Sequence, residues 1–432
     1  MTQLIASTTA PTEPEIAVVQ GWTTYVTDIA RRLGPYVARA ETRQRVMTYR
    51  RGRLSPAERN NSWQLAEETG DATPSGFQSL WARADWAADA VRDERRVDIR
   101  QPLSDPHGVM VIDATGFWKK GQHAAGVARP YSGTAGTGEH CQMGVLVASA
   151  SRLGHALLER ERYRPEEWTN DRERCRSAGI PDGRDVATTP PLAQQRLARA
   201  VAAGMPAPWV TGDRVDGQAR QRRLWLDGRP QASVLAVSGQ DYVRLDGRPR
   251  QVKTLVAALP PEGWTRLRAG DGTTGPRWDD GRWLPLAEPQ EPGWRWGLLV
   301  RRRLSLPTEL TASLVFAPQD TTLAEVVQVA GTRWTIESRV EAAKGEVGLD
   351  DDEVRSWTGW SRHLTRARWA YALLVVLRAG PIAGEMFKKS LPPVQKRSGL
   401  ASFKAQRGLT SRCAGPRFGD CSGASSWPCN RP

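Results

Sequence analysis

The sequence lacks a long apolar run and an apolar leader. Its longest apolar stretch, Trp369 to Leu377, is about half the length that spans a bilayer, so we expect no membrane segment. The N-terminus, MTQLIASTTAPTEPE, has no basic start followed by an apolar core. We therefore expect no secretory signal.

Paired cysteines are also missing. Cys141 and Cys175 lie in the body of the chain without a CxxC partner, and Cys413, Cys421 and Cys429 are regularly but widely spaced near its end. No histidine accompanies that last group, and zinc ligands come in tighter pairs. We expect a reducing, cytoplasmic compartment and no zinc site.

A phosphate-binding loop of the Walker type is absent as well. Gly133, Gly136 and Gly138 punctuate one loop, but no Gly-Lys-Ser/Thr follows them and no helix is predicted to begin there. This argues against an NTPase.

What the chain has is positive charge and tryptophan. The formal net charge is +14 with a pI near 10.0, and 18 tryptophans accompany a hydrophobic fraction of 39%. The composition predicts a folded protein with a polyanionic partner, for which nucleic acid is the first candidate.

The N-terminal region has helical patterning. Apolar residues recur at helical spacing between residues 16 and 46, and two short helices between residues 55 and 85 are separated by Gly70-Asp71. Such a pair fits a DNA-binding helix-turn-helix, and it fits any helical bundle equally.

The body of the chain opens with a short apolar strand, Gly108 to Ile112, followed by Asp113 and then by Lys119 and Lys120. A carboxylate at the mouth of a buried strand is well placed to bind a metal ion. The alternative is an Asp that caps a turn. Other carboxylates in matching surroundings would favour the metal ligand.

A second short strand, Pro208 to Val210, leads through Thr-Gly into Asp213. The surrounding order of strands and helices predicts an α/β layer on a mixed sheet. Residues 241–321 change to short β-like runs broken by Gly and Pro, which indicates a β-rich insertion.

A helix predicted from Leu323 to Val347 carries Arg333, Glu337 and Lys344 on one face. A salt-bridged surface helix has the same spacing. Glu337, however, supplies the third acid that Asp113 and Asp213 need. Three converging carboxylates repel each other unless divalent cations neutralise them, and two such cations can promote phosphodiester cleavage.

With these residues, the chain resembles the DDE transposases of bacterial insertion sequences, in the branch with a Tyr-Arg-Glu-Lys signature. The resemblance rests on Asp113, Asp213 and Arg-x3-Glu-x6-Lys, together with runs such as VIDATGFWKKG, WVTGD and AGTRWTIE. It departs at Ala330, where the signature has Tyr, and at Asp216, which adds a fourth acid.

The resemblance implies a fold, a site and partners. The fold is α/β: a ribonuclease-H-like mixed-sheet catalytic core with a β-rich insertion, preceded by an all-helical N-terminal domain. The expected regions are a helical DNA-binding domain (1–105), the first part of the core (106–240), the β-rich insertion (241–322), the second part of the core (323–385) and a basic irregular tail (386–432).

Asp113, Asp213 and Glu337 are the expected catalytic residues, holding two Mg²⁺ ions for which Mn²⁺ can substitute. The expected partners are double-stranded DNA, both element inverted-repeat ends and target, and a second copy of the chain, in the nucleoid. The expected DNA-binding residues are Arg333, Lys344, Lys119, Lys120, Trp278, Trp283, Trp294 and Trp296.

Alternatives stay open at this point. The tryptophans of the insertion either pack a small β domain or include one that stacks on a flipped base. The activity is expected to be Mg²⁺-dependent cleavage at element ends and strand transfer into target DNA. The alternatives are a catalytically silent DNA-binding protein derived from a decayed or repurposed transposase, and a metal-dependent nuclease without strand transfer.

Overall fold

The computed structural model covers most of the chain between residues 27 and 379. The described residues are Thr24, 27–37, 39–53, 55, 61–100, 102–103, 105–128, 140–183, 188–206, 208–229, 231–272, 275–286, 291–304 and 306–379. The N-terminal leader, the glycine-rich loop, the C-terminal cysteines and the basic tail lie outside the described residues. Within these ranges, no helix is both long and apolar enough to cross a bilayer.

The N-terminal part is built from helices, as predicted. After helical residues 27–33 come α1 (Ala40–Arg53), α2 (Ser62–Thr69), α3 (Ser75–Ala82) and α4 (Ala88–Arg100). The Asn61 side chain caps α2 by accepting from the backbone of Trp63 and Gln64, and Gly70 ends that helix in the left-handed region. These helices share a core that the last described helix joins through Trp369.

A mixed sheet forms the centre of the molecule. Its core strands are β1 (Val109–Trp118), β2 (Val127–Ala128), β3 (Cys141–Ser151), β4 (Gly154–Arg162), β5 (Trp209–Gly212) and β6 (Ala232–Val237). They lie in the order β4-β3-β1-β5-β6. Strand β3 is antiparallel to both β4 and β1, whereas β5 runs parallel to both β1 and β6. This is the strand order of a ribonuclease-H-like core, and the fold prediction is confirmed.

The described chain between β4 and β6 forms five helices; the third and the fifth pack on one face of this sheet, whereas the first two share a separate core with residues 124–127 and Trp357. They are α5 (Glu166–Thr169), α6 (Arg172–Ser177), α7 (Thr189–Ala202), α8 (Arg214–Gln218) and α9 (Arg220–Asp227). Leu192 and Leu197 of α7 are buried with Met110 and Ile112 of β1. Successive side chains of a strand point to opposite faces, so Val109, Val111 and Asp113 face away from α7.

The predicted β-rich insertion extends the core sheet. It contains β7 (Tyr242–Leu245), β8 (Arg248–Gln251), α10 (Val252–Ala257), β9 (Thr265–Gly272), β10 (Gly275–Pro285), β11 (Trp294–Arg303) and β12 (Leu306–Pro318). Strand β12 pairs antiparallel with β6, and the order continues β12-β11-β10-β9. One continuous sheet therefore carries both the core and most of the insertion.

Two long helices cover the other face. The first, α11 (Leu323–Val347), begins at the Thr322 side-chain cap and ends at left-handed Gly348, and the second is α12 (Trp357–Ala379). Val340 and Ala343 of α11 are buried with Val109 and Val111. Helix α11 thus lies over the face to which Asp113 belongs.

The crossing of α11 over β9 depends on a glycine. A Cβ at Gly331 would overlap the carbonyl oxygen of Ala269, whereas a Cβ at Gly345 of the same helix would meet nothing within 4 Å. The first glycine permits a close approach of two backbones, and the second only weakens the helix.

We predict opposite effects of the same substitution at these two positions. Gly331→Ala should lower the free energy of unfolding by about 2 kcal/mol or more because the helix must move off the sheet. Gly345→Ala should raise it by about 0.5–1 kcal/mol through helix propensity. Denaturant unfolding of both variants measures this, and equal effects would contradict the crossing.

Candidate active site

Asp113 lies inside β1 rather than after it. The predicted strand end at Ile112 is wrong, because β3 pairs with β1 from Val109↔Ala150 through Asp113↔Leu146 to Trp118↔Cys141. On the other edge, β5 accompanies β1 only as far as Val111↔Thr211. Asp113 is therefore fixed by one neighbouring strand and lies beside the end of the other.

Asp213 follows β5 at the level of Asp113. The parallel register pairs Val109 with Trp209 and Val111 with Thr211. Continuing this register by two residues places Asp113 beside Asp213. Neighbouring strands lie about 4.8 Å apart. Asp213 also caps α8, since its side chain accepts from the backbone nitrogen of Asp216 at 3.1 Å.

Glu337 reaches the same region from α11. Its Oε1 lies 3.0 Å from Nη1 of Arg333, one helical turn earlier. Burial raises the pKa of both Asp113 and Asp213. For each carboxyl group, Arg333 is the charge that lowers the pKa most. The structure thus gathers the three acids predicted from sequence around one guanidinium group.

The pKa values of the two aspartates are raised. Burial is the main cause that raises the pKa of Asp113 to about 7; the charges of Asp213 and Glu337 add to it, and Arg333 opposes it. Burial also raises the pKa of Asp213, against the same arginine. A cluster of acids that resists ionisation gains free energy from any cation that enters it.

The donor set fits a hard divalent cation, although the ligands are not assembled around a metal position. Carboxylate oxygens are what Mg²⁺ and Mn²⁺ prefer. In the part of the chain that the structure describes, no group of three acidic, histidine or cysteine side chains is close enough to hold a metal ion. Glu337 is half-exposed and paired with Arg333, so it must turn from that arginine to join the aspartates.

The fourth acid, Asp216, is engaged elsewhere. It is buried, forms an ion pair with Arg222 and returns the α8 cap by accepting from the backbone nitrogen of Asp213 at 3.2 Å. Its role is to hold Asp213 in place.

A comparison with known families identifies the family of the chain. The family model described as DDE superfamily endonuclease matches residues 32–275, more than half of the chain. This chain belongs to the DDE superfamily endonucleases. The match includes the positions of Asp113 and Asp213 and ends before Glu337.

Other comparisons add little. No curated protein matches this DDE endonuclease. Among solved structures, the NurA nuclease from Sulfolobus solfataricus is similar over 52% of this chain and 73% of its own, with 10% sequence identity and a TM-score of 0.24. That likeness is too weak to bear on the fold or the activity.

The predicted DNA-binding lysines of this endonuclease lie in different surroundings. Lys119 is nearly buried, and its Nζ lies 2.5 Å from Oδ2 of Asp352. Lys344 donates to the carbonyl oxygen of Gly116 at 3.1 Å. Lys120 is exposed.

The predicted tryptophans divide in the same way. Trp278 is 47% exposed. Trp294 stacks on Phe316 with ring centroids 4.7 Å apart, Trp296 is tilted against the same ring, and Trp283 lies beneath the guanidinium of Arg295. These three half-buried rings pack the insertion, which leaves Trp278 as the accessible ring among the four.

Sequence reasoning missed a group of arginines on β10 and β11. Arg277 lies 4.9 Å over the Trp334 ring, and its pKa is lowered by burial and by nearby Arg303 and Arg333. Burial, Arg277 and Arg333 also lower the pKa of Arg301 to about 10. The alternation in VRRRL, which puts Arg301 and Arg303 on one face, was the available signal.

We predict that Asp113→Asn stabilises the metal-free protein above neutral pH. The wild-type carboxyl has an ordinary pKa of 3.8 and about 7 when folded, so the stability it contributes when protonated is lost as pH rises from 4 through 7. At pH 8 the variant should unfold with a free energy higher by roughly 1–3 kcal/mol. Denaturant unfolding at pH 4 and pH 8 tests this.

Two further observations complete that experiment. The difference in the free energy of unfolding between Asp113→Asn and the wild type should shrink toward pH 4, where the wild-type carboxyl is protonated. Mn²⁺ should raise the melting temperature of the wild type and not of the variant. A stability difference that is constant with pH would rule out a strained carboxyl at this position.

Proposed function

We propose that this DDE superfamily endonuclease is a DNA transposase of the branch with the Tyr-Arg-Glu-Lys signature. Its activity would be cleavage at element ends and strand transfer into target DNA. The observation that carries the proposal is the convergence of Asp113, Asp213 and Glu337 on one face of a ribonuclease-H-like sheet, around Arg333.

Asp113, Asp213 and Glu337 would hold two Mg²⁺ ions, or Mn²⁺ in their place. When bound, such a pair activates the attacking oxygen and stabilises the leaving oxygen of a phosphodiester. The protein holds two of these side chains rigidly and leaves the third able to move. Asp113 is fixed in a paired strand and Asp213 in a helix cap, whereas Glu337 is on an exposed helix face.

Arg333 is suited to exchange one anionic partner for another. It now pairs with Glu337 and is electrostatically coupled to both aspartates. A guanidinium binds phosphate as well as carboxylate through the same fork of donors. When the acids are otherwise neutralised, Arg333 is free to bind a DNA phosphate beside the scissile bond.

The DNA would lie across the insertion toward this site. Arg277 and Arg301 share one face of the sheet with exposed Arg303, although Arg301 is also paired with Asp279 at 2.8 Å. Lys120 adds an exposed charge. The accessible ring of Trp278, which follows Arg277 on the same strand, faces the other side of the sheet. A line of guanidinium groups that leads to a carboxylate site is what a polyanionic backbone requires. The N-terminal helices would bind the inverted repeats, and two copies would join two ends, in the nucleoid.

A second candidate is a catalytically silent DNA-binding protein derived from a decayed or repurposed transposase. One observation favours it: Glu337 is paired with Arg333, and the described carboxylates do not form a ready metal site. A nuclease without strand transfer is the remaining member of the same family of activities.

Incubation with the DNA ends that flank the gene distinguishes these candidates. Wild type should nick such a duplex in Mg²⁺ and join the freed 3′ end to a target plasmid. Glu337→Gln should bind with equal affinity and nick at least about 100-fold more slowly, since one ligand is lost. Binding without nicking by the wild type would support the silent protein, and nicking without joining would support the nuclease.

A further inference from the structure

A cavity of about 300 Å³ lies between α9 and β7. Trp296 and Leu314 line it, and Leu314 is paired with Leu235, which belongs to the core shared with α7. Side chains of directly paired residues lie on the same face of a sheet, so the cavity is on the α7 face. Asp113 belongs to the opposite face, which α11 covers. The cavity is therefore separate from the candidate active site.

Arginines surround this cavity. Arg220, Arg223 and Leu224 of α9 line it together, because they are three and four residues apart and so lie on one stripe of the helix. Arg244 of β7 lines it from the other side. Strand β8, which pairs with β7, adds two exposed arginines. The back-face patch is defined as Arg220, Arg223, Arg244, Arg248 and Arg250.

The charges of the back-face patch are not neutralised by acids. Within the part of the chain that the structure describes, none of its five arginines forms an ion pair, and four of them are exposed. The fifth, Arg223, donates to the carbonyl oxygen of Gly217 at 2.8 Å. Asp227 also lines the cavity, but burial raises its pKa to about 7 against the charge of Arg223. At neutral pH this carboxyl is therefore only partly ionised.

DNA bound at the acids does not reach the back-face patch. The two sites lie on opposite faces of one sheet, and each covering layer packs about 10 Å from that sheet. Duplex DNA is stiff, with a persistence length of about 150 bp. A short duplex that lies on one face therefore leaves the other face free.

The chemistry of the patch matches a phosphate backbone. A guanidinium group binds a phosphate through two parallel donors. Several unpaired guanidinium groups on neighbouring elements match the repeated phosphates of a nucleic acid, whatever its sequence. Tyr242, 64% exposed beside Arg244, adds a hydroxyl of the kind that contacts phosphate oxygens.

We propose that the back-face patch binds the phosphate backbone of a second DNA duplex, in addition to the duplex at the acids. Because this contact is to the backbone, it is independent of sequence. The proposal rests on the proposed function in one respect, that a first duplex is bound on the catalytic face.

The number of duplexes bound per chain tests this without metal or catalysis. A fluorescent duplex of about 12 bp is roughly 40 Å long, too short and stiff to contact both faces. In sedimentation of the full chain with excess duplex at low salt, the wild type should bind two per chain. The variant Arg220→Gln/Arg244→Gln/Arg248→Gln should lose the second. Arg244→Gln alone should lower the salt slope of the overall binding constant by about 0.9, since one phosphate contact is lost.

Three exposed arginines that already have acidic partners provide the matched control. Their ion pairs are Arg176–Asp182, Arg266–Asp280 and Arg268–Asp271. The variant Arg176→Gln/Arg266→Gln/Arg268→Gln removes the same amount of charge and should still bind two duplexes. Changing the three patch arginines to lysine instead keeps their charge, so that variant should also bind two.

The substituted patch side chains are exposed, so the variants are expected to fold, and their unfolding midpoints check this. The inference is overturned if the glutamine variant of the patch still binds two duplexes, or if the wild type binds only one. It is equally overturned if the control variant loses the second duplex, because net charge alone would then set the binding. A single strand that displaces the second duplex at a lower concentration would exclude duplex DNA as the partner. Failure of the proposed function would appear separately, as a wild type that does not nick the DNA ends that flank its gene.

Discussion

One edge of β1 loses its partner strand just before Asp113. Strand β5 ends at Gly212, beside Ile112, while β3 continues to pair with β1 as far as Trp118. The gap admits Asp213 on one side and helix α11 on the other. A sheet edge exposes unpaired backbone groups, and here the side chain of Lys344, on the helix that covers this face, donates to the carbonyl oxygen of Gly116.

The β-rich insertion gives helix α11 additional surface to pack on. Helix α11 is 25 residues long, and the core alone gives it too little surface to pack on. Strands β9 to β12 extend the core sheet and support the N-terminal half of the helix, with Gly331 against Ala269 at the closest approach. Arg53 of the N-terminal helices reaches the carbonyl oxygen of Gly348 at the other end. The helix is held at both ends so that its middle can be placed over the acids.

The sequence predicted the elements that carry their own boundary signals. The bounds of α11, from Leu323 to Val347, were correct because Thr322 and Gly348 are strong caps, and β6 was correct as an isolated apolar run. The end of β1 was missed because it depends on pairing with β3, a contact between distant parts of the chain. Local pattern gave the three acids, and only tertiary structure distinguishes Lys119, in a buried pair, from Lys120, its exposed neighbour.

The net charge of +14 overstates the surface available to DNA. Many arginines are buried among the helices behind β4. Strand β4 has an irregular register after Leu157, and the carbonyl oxygens of Leu157 and Leu158 accept from Arg95 and Arg368.

Glu159, fully buried beside them, is paired with Arg96. These guanidinium groups replace ladder hydrogen bonds that the bulge removes, so they contribute to the fold and not to recognition. Other basic side chains stay exposed, among them Arg303 on β11, Lys120 after β1 and Arg152 at the β3–β4 turn. Composition gives the sign of the partner, and burial decides where that partner binds.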